Sequence, residues 1–89
     1  MALAWDVRKN RANRAKHGVD FAMALDFEWE TALVAVDDRE DYGELREKAL
    51  GFIGPILYAL VFTERGEDIR VLSLRKATKS ELRSYAENI

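Results

Sequence analysis

The sequence predicts an α+β fold of two N-terminal helices, a four-stranded antiparallel sheet and a C-terminal helix, in one domain spanning residues 1–89. Three observations carry that prediction. A basic stretch near the start is bounded by helix start and stop signals. Apolar runs of strand length in the second half are separated by short glycine-containing turns. The C-terminal segment opens with a capping box.

The first helix is expected over Val7–His17. Asp6 can accept from the free N–H groups of its first turn, and Gly18, after Lys16-His17, can take the left-handed conformation that closes it. On this helix Lys9, Asn13 and Lys16 fall at i, i+4 and i+7, with Asn10 and His17 along the neighbouring edge, so the polar groups form one stripe. Asp20 then caps a short second helix, Phe21 to Asp26, with Phe21, Leu25 and Ala24 facing inward. Thr31 to Val36 has the length and β-branching of a first strand. Asp37 to Glu44, with Tyr42-Gly43 inside, has turn chemistry and reads as an exposed loop.

Arg46 to Phe52 alternates imperfectly and turns through Gly54-Pro55 into Ile56 to Thr63, which is apolar on both faces and belongs in the middle of the sheet. After the loop Glu64 to Asp68, the last strand runs from Ile69 to Arg75. Strict alternation puts Ile69, Val71, Ser73 and Arg75 on one face and Arg70, Leu72 and Leu74 on the other. Thr78-Lys79-Ser80-Glu81 opens the C-terminal helix, whose Leu82, Tyr85, Ala86 and Ile89 recur at the spacing of an apolar stripe.

Composition narrows the function. A chain of 89 residues without cysteine has neither disulfides nor thiolate metal sites, and at this length folding buries only about 60–65% of the unfolded surface. No secretory signal is seen at the start, and the longest uncharged run, Ala49 to Thr63, is broken by Gly51, Gly54 and Pro55. The expectation is a cytoplasmic protein without a membrane partner. The net charge of −2 hides a segregation: +4 over residues 1–19, −8 over 20–47 and +2 over 48–89. A local basic face can bind polyanions even when the whole chain is acidic. The acidic cluster at 37–41 lacks the spacing of a calcium loop, so neither a metal nor another cofactor is expected.

Two ordered blocks resemble the BrnT toxins of bacterial type II toxin–antitoxin systems. The first is Trp5-Asp6, Asn13, Lys16-His17-Gly18-Val19 and Phe21. The second is Asp37-Asp38-Arg39, Tyr42-Gly43-Glu44, Arg46 and Leu50-Gly51, continuing to Leu60 through Arg65 and Ile69 through Thr78. The resemblance implies a RelE-like fold, a ribonuclease activity that inhibits translation, and a ribbon-helix-helix antitoxin, BrnA, with DNA contacted only through that antitoxin. Val7 stands where the family commonly has proline, Leu3-Ala4 replaces the usual aromatic and polar pair, and the Gly54-Pro55 turn differs from the family's. The acidic surplus in 20–47 opposes steering toward RNA.

Cleavage by attack of a ribose 2′-hydroxyl needs a base, an acid and cations around the phosphorane, and it needs no metal. His17 is the single histidine and suits either proton role near neutrality. Lys16, Arg75 and Lys76 join it as catalytic candidates. Arg46, Arg65, Tyr85 and Asn13 are candidates for holding the substrate, the arginines by a bidentate grip on phosphate and the tyrosine by stacking. Plainer readings stand beside these: helix-end charge for His17, a solvated face for Arg8, Arg11 and Arg14, and packing for Tyr85. Alternatives to a nuclease are a non-enzymatic corepressor that only docks an antitoxin, and a decayed toxin that keeps the fold alone.

Overall fold

The computed structural model describes residues 2–38 and 43–88. Its elements are β1 (Leu3–Trp5), α1 (Val7–His17), 3₁₀ turns at Phe21–Asp26 and Trp29–Thr31, β2 (Leu33–Val36), β3 (Glu47–Ile53), β4 (Ile56–Arg65), β5 (Asp68–Lys76) and α2 (Lys79–Glu87). The sheet has five strands in the order β1-β5-β4-β3-β2, with β4 central. β2 through β5 pair antiparallel, and β1 pairs parallel with β5 from Leu3↔Ile69 to Trp5↔Val71. The sheet is therefore mixed and five-stranded, where the sequence predicted four antiparallel strands. Three residues are too few to show a period, and their partner lies at the far end of the chain, so β1 left no local signal.

Alternation along β4 divides the core. Tyr58, Leu60 and Phe62 meet Ala49, Ile69, Val71 and Leu74 on one face, covered by Val19, Phe21, Ala24 and Phe27, with Trp5 and Trp29 packed at the margin. The tip of the Phe27 ring sits over Gly51, where a Cβ would come within 2.5 Å of it. On the second face Leu57 and Ala59 pack with Leu50 and Tyr85. Both two-residue hairpin turns place glycine first, Gly54 at φ 59° and Gly66 at φ 60°, and among the described residues no non-glycine residue has positive φ. That is the II′ arrangement, and it accommodates Pro55 at the second position.

The α1 boundaries and both caps agree with the sequence: Asp6 accepts from the N–H groups of Arg8 and Lys9, and Gly18 sits at φ 70°. The capping box of α2 also forms. Three details differ. The second helix is 3₁₀, with three residues per turn, so Phe21, Ala24 and Phe27 line up inward and Leu25 is 69% exposed. The first strand starts at Leu33, because Thr31 closes the second 3₁₀ turn. In α2, Tyr85 is buried while Ala86 is exposed and Leu82 is 47% exposed, so one aromatic ring replaces the expected stripe. Ile89, and the Arg39–Tyr42 part of the expected loop, lie outside the described residues.

A β-bulge corrects the last strand. Phe62 pairs with Val71 and Val61 with Ser73, which leaves Leu72 as an extra residue in β5. The face assignment reverses there, so Leu74 joins Ile69 and Val71 in the core instead of Ser73 and Arg75.

Candidate active-site cleft

The second face is only partly covered. α2 packs over β3 and the start of β4, and beside it an open cleft of about 340 Å³ remains against α1. Its floor is Val61, Leu72 and Ser73, its wall is Lys9, Ala12, Asn13, Lys16 and His17, and Asp37 and Arg46 face that wall from the far rim. The bulge that gave β5 its extra residue thus also supplies the floor.

α1 has no apolar face with which to hold this position. β1 stops opposite Val71, so farther along β5 the backbone edge needs another partner. The Asn13 side chain provides it: Oδ1 accepts from the Leu74 N–H at 3.2 Å, and Nδ2 donates to the Leu74 carbonyl at 2.7 Å and to that of Val19 at 2.9 Å. Asn13 is 7% exposed, and its amide acts as a short continuation of the sheet. Asn10 does similar work toward the first 3₁₀ turn, donating to Asp20 and accepting from the Phe21 N–H. With both asparagines tied to the framework, the cations of the stripe face the cleft.

His17 is half-buried at the end of α1. Partial burial holds its pKa below the usual histidine value, and the charges of Lys16 and Arg75 push it the same way. The neutral imidazole therefore prevails at neutral pH. The structure places Arg75 close enough to act on His17, but its guanidinium is committed. It donates to both Glu81 oxygens, at 2.6 and 3.0 Å, and to the Lys76 carbonyl at 3.3 Å. Lys48 reaches the same carboxylate at 2.6 Å. Arg75, Lys48 and the helix-cap N–H of Thr78 hold the Glu81 carboxyl far below the usual carboxylate range.

The other candidates are dispersed. Lys76 pairs with Tyr58 at the exposed end of β5 and, by alternation, points to the opposite face from Arg75. Glu44 lies between Arg46 and Arg65, 3.7 Å from each, with Arg65 largely in solvent at the end of β4. Tyr85 packs edge-on against Phe52 and donates its hydroxyl to the Thr31 carbonyl at 2.8 Å, away from the cleft lining. Asp37 is a lining residue that the sequence reading left in an acidic loop, and its burial at the end of β2 had no sequence signal. Among the described residues no three His, Cys, Asp or Glu side chains cluster as a metal site, and no helix is long and apolar enough to cross a membrane.

Comparison with known proteins follows this geometry. Residues 5–81 match the model of a family described as the ribonuclease toxin BrnT of type II toxin–antitoxin systems. Among solved structures, the chain is similar to the 1.1 Å crystal structure of the Brucella abortus ribonuclease toxin BrnT. The identity is 34% and the TM-score 0.69, over 89% of this chain and 99% of that one. No curated protein matches the sequence.

Proposed function

The chain belongs to the BrnT ribonuclease toxins of type II toxin–antitoxin systems, and on that premise we propose that it is a single toxin domain whose cleft cleaves RNA without a metal. In this reading it inhibits translation in the cytoplasm and is neutralised by a ribbon-helix-helix antitoxin of the BrnA kind. The observation that carries the proposal is a half-buried histidine set in a cleft with Lys9, Lys16 and Arg46.

The neutral His17 takes the proton of a ribose 2′-hydroxyl, whose oxygen then attacks the adjacent phosphorus. The bond to the 5′-oxygen breaks, that oxygen takes a proton from water as the His17 imidazolium returns its own to solvent, and the products are a 2′,3′-cyclic phosphate and a 5′-hydroxyl. Lys16, Lys9 and Arg46 face the charge that builds on the phosphorane. Partial burial, with the charges of Lys16 and of Arg75 held by Glu81 adding to it, keeps His17 deprotonated. Lys76 and Arg65, outside the lining, add to the long-range field that attracts the RNA backbone.

The test is cleavage of a defined RNA by purified protein in excess chelator. His17→Ala should lower the rate by about 10²–10⁴-fold with an unchanged melting curve, and the products should end in cyclic phosphate. Full activity of His17→Ala would overturn the assignment of the base, and loss of wild-type activity in chelator would overturn the metal-free chemistry.

A further inference from the structure

β2 is the outer strand of the sheet, and among the described residues β3 is its one strand neighbour. The Asp37 N–H donates to the Arg46 carbonyl at 2.7 Å in continuation of the β2–β3 register. Counting back in twos, Ala35 and Leu33 direct their backbone groups at β3, so Val34 and Val36 turn theirs outward. Val34 and Val36 are 44% and 57% exposed. Leu33, Ala35 and the margin of Val36 border a hollow of about 400 Å³ between β2, β3 and α2, with Asp38, Lys48, Ser80, Glu81 and Ser84 among its lining.

Exposed edges are ordinarily blunted by lysine, proline or a covering segment. Leu33–Val36 carries neither lysine nor proline. Exposed Glu28 and Glu30 precede it and exposed Asp38 follows it, inside the segment that carries a net −8. An antiparallel pair of two copies through β2 would bring Glu30 of one toward Asp38 of the other. Charge thus disfavours a second copy and favours a basic partner.

We propose that the β2 edge docks an extended segment of the antitoxin, with apolar residues in alternation and Lys or Arg on its flanks, as a sixth strand of the sheet. Backbone pairing to Val34 and Val36 supplies affinity, alternate side chains enter the hollow, and the basic flanks meet Glu28, Glu30 and Asp38 at the ends of the strand. Asp37 borders both this hollow and the catalytic cleft, so a segment that continues past it reaches the mouth of the cleft. The partner's identity rests on the toxin reading, whereas the docking edge does not.

Hydrogen exchange and affinity measurements on the chain with its co-expressed antitoxin test this without reference to cleavage. The Val34 and Val36 amides should exchange markedly more slowly in the complex. Val34→Pro removes an outward N–H that the sheet itself does not use, and it should weaken binding about tenfold or more. Asp38→Lys should weaken binding and flatten its salt dependence. If Val34→Pro does not fold, Val34→Lys combined with Val36→Lys makes the same test at the surface. Unchanged exchange at both amides, or full affinity in these variants, overturns the proposal. So does protection of the same amides in the isolated chain through a dimer.

Discussion

Both α-helices are capped by side chains at their N-termini, yet they attach to the sheet by opposite means. α1 has no buried apolar residue and is held by hydrogen bonds from Asn13 and Asn10 to backbone. α2 is held by one aromatic ring, Tyr85, and by Glu81, which takes up the charges of Arg75 and Lys48. The difference decides where chemistry can happen. A helix fastened by neutral amides leaves its cations facing a cleft, whereas a helix fastened by a carboxylate occupies the hydrogen-bonding groups of the cations around it.

That contrast can be broken most severely at Asn13. Asn13→Ala leaves the Leu74 N–H and the Leu74 and Val19 carbonyls buried without their partner, and should cost about 3–5 kcal/mol by chemical denaturation. The loss should extend to the cleft, since α1 would no longer be pinned. At α2, Glu81→Gln removes the acceptor shared by two cations and weakens the capping box, for about 2–3 kcal/mol. It should also release Arg75 and alter the pH dependence of cleavage through His17.

The same carboxylate sets an acid limit. Because the folded state depresses the Glu81 pKa, its contribution is complete above the ordinary glutamate value of about 4.3. It is lost progressively as pH falls below that value. Wild type should therefore lose stability there more steeply than Glu81→Gln, as melting temperatures against pH would record. For His17 the depressed pKa means that activity rises with pH and is half-maximal below the ordinary histidine value of about 6.5. A midpoint above that value would refute the part given to burial and to the charges of Lys16 and Arg75 in depressing it.

Smaller changes sharpen the description of α2. Tyr85→Phe should cost about 0.5–1.5 kcal/mol, the net worth of the hydrogen bond to the Thr31 carbonyl. Leu82→Ala should stay within about 0.5 kcal/mol of wild type, because that side chain is half in solvent. A much larger effect would restore the apolar stripe that the spacing of Leu82, Tyr85 and Ala86 had suggested.

Much of the fold was legible because its signals are local. Asp6 and Gly18 bound α1, Thr78 and Glu81 open α2, and the two-sided apolar run of β4 announced the middle of the sheet. The α+β class and the central β-meander follow from those features. What stayed hidden depends on contacts between distant residues. β1 exists only where β5 receives it, and the bulge at Leu72 changes which side chains face the core.

The site divides in the same way. Spacing on α1 determined by itself that Lys9, Asn13, Lys16 and His17 lie near one another, because helical geometry fixes neighbours three and four residues apart. Tertiary structure alone decided that Asn13 bonds to the edge of β5, that Arg46 and Asp37 come to face Lys16 and His17, and that Glu81 holds Arg75. The physical reason is range. Caps and periodicity act within a few residues of chain, whereas strand register and the pairing of buried polar groups are settled only when the whole sheet closes.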